Sequence, residues 1–233
     1  MRDDYTIILS GGFGTRLKSI SKNKPKALVE INGTPFLKIL LKNLVKNGYR
    51  KFIFSLFYEY QQIIDFIQNL DVDFKQKIDY KFNIEPKALG TGGAIKHCID
   101  SFNLNGFINV VNSDTWIEKG LAELKNKNIN LISVIKLENN TRYGQVIFDE
   151  NKLVKSFEEK NEKKNCYINA GFYRLRCELF KKISQESFSI ERDFFPNLID
   201  KINLYAHELD SKFIDIGIPE DFKIFKKIML NER

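Results

Sequence analysis

The chain has 233 residues, 43% of them apolar and 13% aromatic, which excludes a disordered chain and supplies a substantial core. Lysine and arginine number 37 against 30 acids, a net charge of +7. That excess is dispersed over pairs such as Lys125/Lys127, Lys163/Lys164 and Lys181/Lys182, so nucleic-acid binding is not expected, and a phosphate-rich small substrate accounts for part of it.

Tyr5 to Ser10 is a continuous apolar strand, as in a parallel sheet covered on both faces. It runs into Gly11-Gly12-Phe13-Gly14-Thr15-Arg16-Leu17, and Lys24-Pro25-Lys26 follows. Glycine lets backbone N–H groups approach phosphate oxygens, and Arg16 and Lys26 can neutralise a polyphosphate, so the stretch reads as a holder of a nucleoside triphosphate. It is not a Walker A loop, because no Lys-Ser or Lys-Thr pair closes it. Nor is it a dinucleotide fingerprint, because Gly12-Phe13-Gly14-Thr15-Arg16-Leu17 ends on leucine. Pro35 to Lys46 has helical spacing and ends at Asn47-Gly48. Phe52 to Leu56 is a strand, Tyr60 to Leu70 a helix, Ile78 to Phe82 a strand, Thr91 to Ser101 a helix and Phe107 to Val111 a strand. Alternation of this kind predicts a doubly wound α/β fold with a mostly parallel sheet. Beyond it, Leu131 to Leu137, Gln145 to Phe148, Leu153 to Phe157 and Gly171 to Leu175 read as shorter strands. No linker separates the halves, so one domain over 1–233 is expected, with residues 1–115 on the nucleotide side and 116–233 on the sugar-phosphate side.

Asp114 directly follows a buried strand, which puts its carboxylate at the carboxyl edge of the sheet, where open α/β folds bind ligands. Asp215 follows Phe213-Ile214 and is compatible with a second strand edge. Two carboxylates from distant parts of the chain can hold Mg²⁺ against phosphate oxygens, although either aspartate alone is an ordinary turn or cap residue. Leu89-Gly90-Thr91-Gly92-Gly93-Ala94 opens a helix and reads either as a tight connection or as a place where a base or sugar lies against backbone. Glu158-Glu159-Lys160 ends another strand; it is a charged turn or a sugar-phosphate contact. Cys98, Cys166 and Cys177 stand at no metal-ligand spacing, and His97 and His207 are the only histidines. The start Met1-Arg2-Asp3-Asp4 has no apolar signal region and no apolar run approaches membrane-spanning length, so a cytoplasmic protein is expected.

These signatures, in order, resemble the sugar-1-phosphate nucleotidyltransferase family. They are Leu9 to Leu17, Lys24-Pro25-Lys26, Leu89 to Ala94, Asn112-Ser113-Asp114, Phe157 to Lys160, Asn169-Ala170-Gly171 and Asp215 to Asp221. Within it, Arg142-Tyr143-Gly144, Ser156 to Lys160 and Phe188-Ser189-Ile190-Glu191 most resemble bacterial D-glycero-D-manno-heptose 1-phosphate guanylyltransferases. The resemblance implies a three-layer, Rossmann-like, glycosyltransferase-A-like fold with a mixed, mostly parallel sheet. It implies that Leu9, Gly11, Gly12, Gly14, Thr15 and Gly90 contact the nucleotide, and that Arg16 and Lys26 act on the triphosphate. Asp114, Glu159, Lys160, Asn169 and Gly171 would hold the sugar phosphate, and Asp114 with Asp215 would bind Mg²⁺. Ser113 stands where the family usually has Gly, and Asn161 where it usually has Pro. The chain ends soon after Asp221 and Phe222, so the acyl transfer or regulation that a C-terminal β-helix gives some relatives is not expected.

The implied reaction joins a nucleoside triphosphate to a sugar 1-phosphate and releases pyrophosphate, with GTP and the heptose phosphate as first choice, in surface-glycan or capsule synthesis. Mannose or glucose 1-phosphate with GTP, CTP, UTP or dTTP is the alternative. A glycosyltransferase is disfavoured because Asn112-Ser113-Asp114 lacks the Asp-x-Asp pattern, and a silent nucleotide-sugar sensor because Lys26 and both aspartates are present. Phe57, Tyr58 and Tyr60 would suit a homodimer contact.

Overall fold

The protein is described by a computed structural model covering residues 4–14, 24–158 and 163–231. Its first strand, β1 (Thr6–Ser10), lies between parallel partners β4 (Lys51–Leu56) and β6 (Phe107–Asn112), and β5 (Asp79–Ile84) pairs parallel with β4 outside them. A small ribbon of β2 (Glu30–Ile31) and β3 (Thr34–Pro35) separates β1 from β4 in the chain. Register explains why these strands read as unbroken apolar runs. Ile7 stands opposite Ile53 and Val110 and faces one side of the sheet, whereas Ile8 stands opposite Phe54 and Val111 and faces the other. Both sides are covered. Helix α1 (Phe36–Lys46) inserts Leu37, Leu40, Leu41 and Leu44 into one layer, joined by Ile63 and Ile67 of α2 (Tyr60–Gln68). Helix α3 (Gly90–Ser101) inserts Ile95, Cys98 and Ile99 into the other.

The second half extends the same sheet. β7 (Thr115–Ile117) leaves it, and β8 (Asn130–Asn140), β9 (Gln145–Phe148), β10 (Val154–Glu158) and β11 (Lys163–Arg176) follow. β11 runs antiparallel to β6, β8 and β9, and β12 (Leu204–Glu208) pairs parallel with β8, completing nine strands. The short strand expected over Gly171 to Leu175 is therefore the end of a 14-residue strand. Its pairing with β8 shifts between Asn169 and Tyr173, and Gly171 there has φ +71°. Asn169-Ala170-Gly171 is a bulge that bends the strand without ending it. β13 (Phe213–Asp215) pairs with β7, and α4 (Pro219–Asn231) packs Phe225 against Phe36 and Trp116. Among the described residues no helix is long and apolar enough to cross a membrane.

Candidate functional site

At the carboxyl ends of β1, β5 and β6 a cavity of about 410 Å³ opens between the loop Gly11–Gly14 and the start of α3. Among the described residues nothing lies within 4 Å of a Cβ built at Gly12, whereas a Cβ added at Gly11 would lie 2.8 Å from Glu85 Oε1. Lys26 enters from a short 3₁₀ turn, Lys26–Leu28, whose Ala27 and Leu28 plug the core. Burial of its neighbours thus fixes the lysine's direction.

The two aspartates meet through strand register. Asp114 sits in the turn between β6 and β7, and the antiparallel pairing of β13 with β7 sets Asp215 opposite Thr115. The Ile216 amide donates to the Asp114 carbonyl at 2.9 Å and closes that junction. Both carboxylates then address one ammonium. Lys26 Nζ donates to Asp114 Oδ2 and lies 3.6 Å from Asp215 Oδ1. Asp215 Oδ1 also accepts from the Gly217 amide at 2.8 Å, and a Cβ at Gly217 would overlap the Lys26 ammonium. Only glycine at 217 leaves the lysine its present place.

Glu85 is the cavity-lining acid that sequence reasoning missed. It is 6% exposed, lines the cavity and follows the last residue of β5. Ser55 Oγ donates to its Oε1 at 3.1 Å and the Leu89 amide to its Oε2 at 3.3 Å. Burial pushes the carboxyl above its usual range, and the two hydrogen bonds only partly oppose that. The available signal was weaker than the one that exposed Asp114, because the strand before Glu85 is only partly buried. All three glycines after Glu85 make room for the chain itself: a Cβ would meet the Phe188 carbonyl at Gly90, the Phe188 ring at Gly92 and the Glu186 carbonyl at Gly93. Gly90, with φ +71°, also lines the cavity.

On β11, Asn169 Oδ1 accepts from the Gly171 amide at 2.9 Å, and its Nδ2 donates to the Tyr173 hydroxyl at 2.6 Å. Gly171 lies against Asn112, which lines the cavity, so these residues stand behind the wall. Arg142 forms two contacts with Asp221, NH1 to Oδ1 at 2.9 Å and NH2 to Oδ2 at 3.3 Å, and the Tyr143 hydroxyl donates to the same Oδ2 at 3.3 Å. Burial, then the charges of Asp215 and Asp221, drive the Tyr143 hydroxyl far up from its ordinary pKa. Asn140 fixes this loop by accepting from the Arg142 and Tyr143 amides.

The structure therefore gathers Leu9, Gly11, Gly12, Gly14, Lys26, Gly90 and Asp114 around one cavity. Asp215 joins them through Lys26, and Asn169 and Gly171 support the wall. Thr15, Arg16, Glu159, Lys160 and Asn161 lie outside the described residues. The nucleotidyl transferase family model matches residues 5–231. The chain belongs to that family.

Among curated nucleotidyl transferases, D-glycero-alpha-D-manno-heptose 1-phosphate guanylyltransferase of Campylobacter jejuni is 39% identical over 221 residues, 94% of this chain and 97% of the relative. The catalytic subunit beta of mannose-1-phosphate guanylyltransferase from Drosophila melanogaster is 34% identical over 225 residues, 93% of this chain and 60% of that longer protein. The crystal structure of HddC from Yersinia pseudotuberculosis complexed with GMP-PN superposes with a TM-score of 0.85 at 34% identity, covering 97% of this chain and 99% of that one. The expected Rossmann-like, glycosyltransferase-A-like fold is thus the observed one. Ser113, the departure from the usual family glycine, is buried, and its amide bonds the Leu9 carbonyl at 3.1 Å. Its backbone is not in the left-handed region, so a side chain there brings no strain.

Proposed function

We propose that this nucleotidyl transferase moves the guanylyl group of GTP onto D-glycero-α-D-manno-heptose 1-phosphate, giving GDP-heptose and pyrophosphate for surface-glycan synthesis. The observation that carries the base is Glu85 in the cavity wall. Guanine presents adjacent N–H donors at N1 and N2, and an ionised carboxylate only accepts. Uracil and thymine place one N–H between two carbonyls, and cytosine sets a donor beside an acceptor, so neither matches a carboxylate as well. The sugar rests on the 39% identity to the Campylobacter heptose enzyme. The 34% identity to the Drosophila enzyme favours mannose 1-phosphate as the second reading.

A sugar phosphate oxygen is already anionic at neutral pH, so it attacks the α-phosphorus without a general base, and pyrophosphate leaves. The chain's work is to hold two repelling anions in line and spread the charge of the transition state. Backbone amides of Gly11, Gly12 and Gly14 would cradle phosphate oxygens, and Lys26 would meet charge at the α-phosphate, with Arg16 assigned to the triphosphate by resemblance. Asp114 and Asp215 fit Mg²⁺, because both already address one cationic group, the Lys26 ammonium. Among the described residues no cluster of three or more His, Cys, Asp or Glu is present, so phosphate oxygens and water would complete the shell, as is usual for Mg²⁺. When bound, the ion supplies positive charge to the phosphates.

The test is pyrophosphate release with Mg²⁺, crossing GTP, CTP, UTP, dTTP and ATP with heptose, mannose and glucose 1-phosphates. Release with GTP and the manno-heptose phosphate above all others is expected. Preference for another base or sugar overturns that half of the assignment.

A further inference from the structure

The motif Phe188-Ser189-Ile190-Glu191 has no part in the chemistry so far, yet its acid is bonded from three directions. Glu191 is the second residue of a π-helical turn, Ile190–Phe194, a form often found at functional sites. Its Oε2 accepts from Thr91 Oγ1 and from Ser189 Oγ, each at 3.0 Å, and its Oε1 accepts from the Tyr173 hydroxyl at 3.0 Å. The direction of these bonds is forced. Each hydroxyl has one proton, and each already receives an N–H: Thr91 from the Ile190 amide, Ser189 from the Arg192 amide, Tyr173 from Asn169 Nδ2. All three protons therefore go to Glu191.

We infer that Glu191 is a positioning residue that ties the nucleotide half of the site to the sugar-phosphate half. One carboxylate fixes Thr91, which lines the cavity beside Gly90, and Tyr173, which orients Asn169 and through it the Gly171 amide. The β11 bulge and the first turn of α3 come from distant parts of the chain, and Glu191 sets the distance between them. Burial holds the Tyr173 hydroxyl well above its ordinary pKa, which keeps it a donor across the working range. A carboxylate accepting several hydroxyls polarises each of them, so the network is stiffer than three separate bonds. The inference rests on the assignment of Gly90 to the nucleotide and of Asn169 and Gly171 to the sugar phosphate.

The test is steady-state kinetics of Glu191→Gln, Thr91→Val and Tyr173→Phe, singly and in pairs, with the substrate pair that the wild type uses best. Thr91→Val is expected to raise KM for the nucleoside triphosphate about tenfold, and Tyr173→Phe to raise KM for the sugar phosphate about tenfold, the scale of one bond to a charged acceptor. Glu191→Gln should raise both, and each partner change should add little in its background. A purely structural role would lower the melting temperature and active fraction and leave both KM values unmoved. Folded Glu191→Gln with both KM values within about twofold of wild type overturns the inference, as do effects of the partner variants that simply multiply with it. If Glu191→Gln does not fold, additive behaviour of Thr91→Val with Tyr173→Phe overturns it instead. A wild type inactive on every substrate pair overturns the substrate assignment, and this inference falls with it.

Discussion

Replacing Glu85 by glutamine keeps the shape of the side chain and changes which of its atoms can accept. In the native site Ser55 Oγ holds Oε1 at 3.1 Å and the Leu89 amide holds Oε2 at 3.3 Å. A serine hydroxyl can turn round, but a backbone N–H cannot. The amide oxygen of the new glutamine must therefore stay on Leu89, and its NH₂ must face Ser55 and the Gly11 backbone. The edge next to the loop Gly11–Gly14 turns from acceptor to donor, so guanine bound as proposed would lose one of two matched bonds. A hydrogen bond to a charged group is worth about 1.5–3 kcal/mol, so kcat/KM for GTP should fall roughly 10- to 150-fold. The new edge has one acceptor and one donor, which suits uracil or thymine, so the ratio of UTP to GTP use should rise. Stability should move the other way. The folded carboxyl is raised, so the stability gained by protonating Glu85 is full below its unfolded pKa and is lost as pH rises through its folded pKa. Glutamine has no such loss and should be at least as stable at neutral pH. In the wild type, KM for GTP should climb as pH falls through that raised pKa, and the variant should lack the climb. Pyrophosphate-release kinetics with GTP and UTP across pH, beside thermal melts, read all of this. An unchanged kcat/KM for GTP, or equal losses with GTP and UTP, refutes the reasoning.

Lys26→Ala should lower turnover on the order of 10²-fold or more, the cost of one preorganised charge donor, and near-normal turnover in a folded variant would remove Lys26 from the mechanism. Gly217→Ala places a methyl where the Lys26 ammonium lies and should cut kcat on the order of tenfold while a thermal melt stays close to wild type. Burial pushes the Cys98 and Cys177 thiols up to about 12, and Cys166 is also buried, so a thiol reagent at neutral pH should react slowly with native protein and quickly after denaturation. Phe225→Ala should cost about 3–5 kcal/mol in urea unfolding. Fluorescence of Trp116, whose ring lies 5.0 Å from that of Phe225, reports the transition.

The parallel half of the sheet was readable because strands buried on both faces leave a continuous apolar run, as Ile7 and Ile8 do by facing opposite layers. Loop Gly11–Gly14 and Asp114 were readable because each directly follows such a run. Pairing between distant segments was not. The sequence placed Asp215 after two apolar residues, but only the register of β13 on β7 brings it to Lys26. Glu85 went unseen because its neighbours in the cavity wall, Ser55 on β4 and Gly11 in the loop after β1, come from other parts of the chain. Gly90, Gly92 and Gly93 carried one signal, and at each of them a group of the chain itself, from Phe188 or Glu186, occupies the space a Cβ would take, while Gly90 also lines the cavity. Local composition shows that backbone is approached closely, not by what. The turn-like Asn169-Ala170-Gly171 hid a long strand for a related reason, since a bulge and a turn both call for a left-handed glycine.

The most direct measurement follows a radiolabel on the α-phosphate of GTP during incubation with D-glycero-α-D-manno-heptose 1-phosphate and Mg²⁺. The account expects the label to move into a phosphatase-resistant sugar nucleotide, with one pyrophosphate released for each product formed. Label that stays in GTP, or that appears as GMP, contradicts it.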